Sequence, residues 1–151
     1  MVVLLATLTD LGSPVTPLAH RALPSPAAEP TGPTGPLLDC NLGFVPVKPT
    51  VGVGSIIGNA WAHCTIPPEA HALTLSLERL QRGAGWIAAA TNPPDPRIPT
   101  PRLVYEIKTA CVPGAWRVTA TARGSVWGNP FEFTDHSLQR IVSAQDCARG
   151  H

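Results

Sequence analysis

Leu73-Thr74-Leu75-Ser76-Leu77-Glu78 places three leucines on one face of an extended chain, with Thr, Ser and Glu on the other. A period of two is the signature of a half-buried strand. The stretch Trp116 to Arg123 repeats it, as Trp116, Val118, Ala120 and Ala122 alternate with Arg117, Thr119, Thr121 and Arg123. These two segments set the fold class as all-β.

The neighbouring residues extend the pattern. Arg82-Gly83-Ala84-Gly85 is a turn into Trp86 to Thr91, a hairpin partner for the leucine strand. A proline-rich loop runs from Asn92 to Pro101. Leu103, Tyr105, Ile107, Thr109 and Cys111 then share a face, Pro113-Gly114 turns the chain, and Gly128-Asn129 turns it again before Phe131 and Phe133. A last strand is expected from Leu138 to Ala144, and upstream ones at Gly54 to Cys64 and Leu37 to Val47. Seven or so strands in about 110 residues is the scale of an immunoglobulin-like antiparallel β-sandwich. The 18 prolines and 13 glycines suit short strands and exclude long helices. Trp61 is the misfit: it falls opposite the face of Gly58, Ala60, Ala62 and Cys64. Either it is exposed, or a bulge at Asn59 or Ala60 shifts the register.

Two compositions divide the chain into an N-terminal arm, residues 1–36, and a sandwich domain, residues 37–151. From Ser13 to Pro36 there are seven prolines in 24 residues and no apolar periodicity, so this part is expected to be extended. Before it, Met1 to Leu8 holds a short apolar run without a basic region ahead of it, signal-like but incomplete. No stretch reaches the roughly 18 apolar residues of a bilayer span. Leu4, Leu5, Leu8, Leu11, Val15, Leu18 and Leu23 make the arm too apolar for a mere spacer. It is expected to form a partner-binding strand, unless it is a signal peptide removed on export.

Cys40, Cys64, Cys111 and Cys147 are even in number, widely spaced and without a C-x-x-C pair, which reads as a disulfide framework and an exported, extracellular protein. Of the three possible pairings, Cys64–Cys111 with Cys40–Cys147 is favoured. Cys111 is in phase with the core face and Cys64 ends an earlier strand, whereas the other two open and close the domain.

No catalytic or cofactor site is expected. Asp135-His136-Ser137 are neighbours on a strand, which point to opposite faces and cannot converge as a triad. No serine sits in a G-x-S-x-G elbow, and Gly52-Val53-Gly54 lacks the helix of a dinucleotide fingerprint. His63, His71 and Glu69 lack the tight spacing of a zinc enzyme. Net charge is +1 with eleven scattered basic residues, which argues against a nucleic-acid partner. Trp116 reads as core. Trp127, beside Gly128-Asn129-Pro130, falls at a hairpin tip, where an exposed Trp is a candidate binding hot spot; the alternative is that it folds back on its own sheet.

Ala62-His63-Cys64-Thr65-Ile66-Pro67-Pro68, the strand Leu73 to Arg79, Gly85-Trp86, and Ala110-Cys111-Val112-Pro113-Gly114-Ala115-Trp116-Arg117-Val118 together resemble small secreted, disulfide-bonded proteins of actinobacterial type. The resemblance covers roughly Cys64 to Ala122. It implies an immunoglobulin-like sandwich bridged through Cys64 and Cys111. The layout of one compact domain behind an extended arm resembles the adaptor subunits of umbrella-shaped toxin particles, which link a lectin-bearing subunit to a toxin stalk. The expected function is a non-catalytic, secreted protein-binding module, an adaptor in an extracellular assembly, docking through its arm and loops. The alternative is an inhibitor of an extracellular enzyme that presents the Asn92–Pro101 loop.

Overall fold

The computed structural model describes residues 40–150. These form two antiparallel sheets facing each other, a β-sandwich with two disulfides. In the first, β3 (Ser55–Cys64) is central, with β1 (Cys40–Gly43) and β2 (Thr50–Gly52) on one side and β6 (Leu103–Ala110) on the other. The second runs β5 (Gly85–Thr91), β4 (Ala70–Gln81), β7 (Gly114–Val126), with β8 (Asn129–His136) and β9 (Arg140–Val142) sharing the far side of β7.

The alternation read in the sequence becomes the core. Cross-strand neighbours share a face, and the pairs Leu73↔Ala122, Leu75↔Ala120 and Leu77↔Val118 set a larger side chain against a smaller one. All six are buried, and a fully buried leucine contributes about 1.5–3 kcal/mol. On the facing sheet the order reverses. The inner residues of β3, Gly58, Ala60 and Ala62, are small and pair with Ile107, Tyr105 and Leu103. A methyl group at Gly58 would stand 2.6 Å from Val118 Cγ2, so glycine here lets the two sheets close.

The Trp61 misfit resolves without a bulge. The β3–β6 ladder is unbroken from Ser55↔Ala110 to Ala62↔Leu103, so Trp61 lies on the outer face. It is half-buried there. The Arg102 guanidinium sits 4.1 Å from the ring centre, a cation–π contact, and the indole fills the space a Cβ at Gly43 would take.

Three expectations are corrected. The disulfides are Cys40–Cys64 and Cys111–Cys147, not Cys64–Cys111 and Cys40–Cys147. Cys40 and Cys64 are register partners on adjacent strands of one sheet, so their Cβ atoms point the same way at close range. The last strand is only Arg140–Val142, and the chain then enters a six-residue helix, α1 (Ala144–Arg149). Its start is a capping box, in which Ser143 Oγ accepts from the Asp146 N–H and Asp146 Oδ2 accepts from the Ser143 N–H. That turn carries Cys147 back to Cys111. Finally, the β7–β8 turn is Trp127-Gly128, one residue earlier than expected.

Among the described residues, no helix is long and apolar enough to cross a membrane.

Candidate functional site

The β7–β8 connection has two residues, Trp127 and Gly128, between the last ladder pair Val126↔Asn129. Two-residue loops that follow the strands' right-handed twist need positive φ at their centre, which is why Asn-Gly and Asp-Gly dominate them. Gly128, at φ 72°, meets this freely. Trp127 stands at φ 53° and is the only non-glycine residue at positive φ among those described. A bulky residue there is an outlier, and such outliers concentrate at functional sites. Trp127 is also 70% exposed, the most exposed Trp, Tyr or Phe among the described residues.

The tip is held from both sides. The Gly128 N–H donates to the Glu69 carboxylate at 2.9 Å, and the Glu69 N–H donates to Ser125 O at 2.9 Å. Asn129 Nδ2 donates to Trp127 O at 3.2 Å. The β3–β4 loop is thereby tied to the hairpin, with Ile66 and Pro67 exposed on it. Below lies a small second core of Cys40, Cys64, Ala122 and Phe131, on which Val126 and Phe133 pack. The Cys40–Cys64 bridge therefore braces the end of the sandwich that carries Trp127. A rigid backing with an exposed indole suits a binding hot spot, because little conformational entropy remains to be lost.

The remaining sequence candidates disperse. Ser137 is buried; its Oγ accepts from the Val118 N–H at 2.8 Å and donates to Leu138 O, bridging the gap where β8 leaves β7. His136 Nδ1 contacts Thr119 Oγ1 at 2.9 Å, and Asp135 accepts from the His136 N–H. Asp135, His136 and Ser137 thus each have a local structural partner. His71, His63 and Glu69 do not converge, and no metal-ligating cluster occurs among the described residues. His71 faces inward beside Phe131, its Nδ1–H donating to Arg97 O at 3.1 Å. Burial holds its pKa below the ordinary value, against the opposing pull of that hydrogen bond and of Asp95. Leu4, Leu8, Leu11, Val15 and Leu18 lie outside the described residues.

The Asn92–Pro101 loop is pinned along its length. The Asn92 N–H donates to Leu75 O, Asp95 and Leu73 exchange two backbone hydrogen bonds, and Pro99 O accepts from the Cys64 N–H. It thus continues the strand edge of β4 past the end of β5. Asp95 and Arg97 form a multiply hydrogen-bonded pair, with contacts of 2.7–3.0 Å, and the guanidinium turns back over the Tyr105 ring. Arg97 holds the Asp95 carboxyl below its ordinary pKa. Burial, with Asp95 adding to it, pushes the Tyr105 hydroxyl up to about 12.

Neither part of this site was fully legible in the sequence. The exposure of Trp127 was one of two readings left open, and its tie to Glu69, 59 residues away in the chain, had no local signal. Compared with known proteins, the chain matches no family model, and no curated protein or solved structure is significantly similar to it.

Proposed function

We propose that the protein is a non-catalytic, secreted protein-binding module, an adaptor in an extracellular assembly, whose domain contacts its partner through the Trp127 hairpin tip. The carrying observation is Trp127 itself: an indole 70% exposed, at φ 53°, on a hairpin tied to Glu69. Folding stability alone favours Asn or Gly at this place, so the cost of a tryptophan points to a use for its surface. The two disulfides fit an oxidising, extracellular setting. The arm-plus-domain layout supports the adaptor reading, by resemblance to the adaptor subunits of umbrella-shaped toxin particles.

A photo-crosslinking residue at position 127, with Thr134 on exposed β8 as the control position, tests this in the producing cells' medium. A discrete cross-linked protein at 127 and none at 134 is the expected result. Equal labelling at both positions, or none at 127, refutes it. The second reading, an inhibitor presenting the Asn92–Pro101 loop, is supported by the pinning of that loop at Asn92, Asp95 and Pro99. It is favoured instead if the loop, and not position 127, cross-links to an enzyme.

A further inference from the structure

On the outer face of the second sheet, cross-strand neighbours spend their polar groups on each other. Ser76 bonds Thr91, Thr119 bonds His136 and Thr121 bonds Thr134. Glu78 with Arg117 and Glu132 with Arg123 form ion pairs at 2.6 and 3.0 Å. All five pairs are register partners.

One end of the first sheet's outer face differs. Asn41 of β1 and His63 of β3 are also register partners, yet neither side chain hydrogen-bonds to another described residue. Arg102, the residue before β6, has no carboxylate within ion-pair distance among the described residues, whereas Arg97, Arg117 and Arg123 each have one.

Trp61 organises these groups. Its indole lies across Gly43, where a Cβ would come within 2.8 Å of three ring atoms, and the Arg102 guanidinium rests 4.1 Å from the ring centre. A guanidinium held on an aromatic face keeps the N–H groups of its edge available to a planar anion. Behind them the backbone is braced by the Cys40–Cys64 bridge, whose cysteines adjoin Asn41 and His63. Asn41, Leu42, Trp61, His63 and Arg102 together line a cleft of about 500 Å³, within the size range of small-ligand sites.

We propose that this cleft binds an acidic saccharide, a sugar residue that carries a carboxylate. Arg102 takes the carboxylate, since it only donates and is always charged, and no acidic residue lines the cleft to oppose it. The Asn41 amide both donates and accepts, and a neutral imidazole does likewise, which matches sugar hydroxyls. Leu42 and the indole supply an apolar wall for the C–H groups of the ring. An acidic side chain of a protein would use donors alone and would leave much of the cleft unfilled. The site shares no residue with the Trp127 tip, so it stands independently of the protein-binding reading.

Nitrogen-15 NMR titration of the oxidised full chain at constant ionic strength tests this. The probes are glucuronate, galacturonate and N-acetylneuraminate, with glucose and galactose as neutral controls and N-acetylglutamate as a peptide-like carboxylate. At least one acidic sugar should shift the Asn41 side-chain amide and Trp61 indole N–H signals, with a dissociation constant below about 10 mM. The neutral sugars should leave both signals in place. Arg102→Gln should weaken that binding at least about tenfold and Asn41→Ala at least about threefold, while near-ultraviolet circular dichroism stays native. Arg82→Gln, on the exposed β4–β5 turn, should leave it unchanged. The proposal is overturned if no acidic sugar shifts these signals, if Arg102→Gln binds as wild type does, or if the neutral sugars bind equally well. N-acetylglutamate binding as tightly as the sugars also overturns it, and assigns the cleft to an acidic peptide.

Discussion

Replacing Trp127 by Asn separates what this residue does for folding from what it does for binding. The folding side can be worked through. Trp127 keeps 70% of its surface in water. The rest of a side chain of about 250 Å² contributes at most about 2 kcal/mol at 25 cal/mol per Å², and less once burial in the unfolded chain is deducted. Against this, a bulky residue in the left-handed region costs about 1–2 kcal/mol, much of which Asn avoids. The two effects nearly cancel, so W127N is expected to change stability by no more than about 1 kcal/mol in either direction. Urea unfolding followed by circular dichroism measures this, provided the slope of free energy against denaturant is the same for both proteins. A loss above about 2 kcal/mol would mean that the indole is a structural residue, and the argument from its placement would fail.

Trp116→Ala should behave oppositely: it empties the largest fully buried side chain and removes the Nε1–H bond to Val112 O, at a cost of about 3–5 kcal/mol in the same assay. Peptide mapping of unreduced protein should give Cys40 linked to Cys64 and Cys111 linked to Cys147 and no cross-linked alternative. Opening either bridge should cost up to about 3.5–4 kcal/mol for loops of this length. His71 sets a pH dependence. Its folded pKa lies below the unfolded value near 6.5, so the unfolded chain takes up the proton first and stability falls as pH drops through that window. His71→Gln should flatten the part of the urea-midpoint change between about pH 7 and about pH 5 that arises from this group; an unchanged slope would show that His71 is not the group responsible.

The strands were readable where one side of the sheet is wet and the other dry. In β4 and β7, leucine, valine and tryptophan alternate with threonine and charge, and the structure keeps that phase residue for residue. The inner face of β3 was harder, because Gly58, Ala60 and Ala62 are small for the sake of close sheet packing and so look like no core at all. The disulfide pairing failed on tertiary grounds. Nothing local to Cys40 says that it will lie beside Cys64 in register, and the favoured pairing assumed that a bridge joins the two sheets. The second bridge has a local signal: Ser143-Ala144-Gln145-Asp146 has the spacing of a capping box, which ends the strand and starts the turn of helix that carries Cys147. Trp127 was placed correctly at a hairpin tip, but its exposure depends on Glu69 and the β3–β4 loop, a long-range arrangement that no periodicity encodes.

The central claim is that this domain binds a protein partner through the exposed indole at the β7–β8 tip, and it is tested most directly by calorimetry. The protein cross-linked at position 127 is titrated against the wild-type chain and against Trp127→Ala, each with its melting temperature recorded. A hot-spot residue contributes at least about 2 kcal/mol, so the variant should bind about thirtyfold more weakly or worse, with its melting temperature little changed. Binding within about threefold of wild type, at the same stability, would contradict the account.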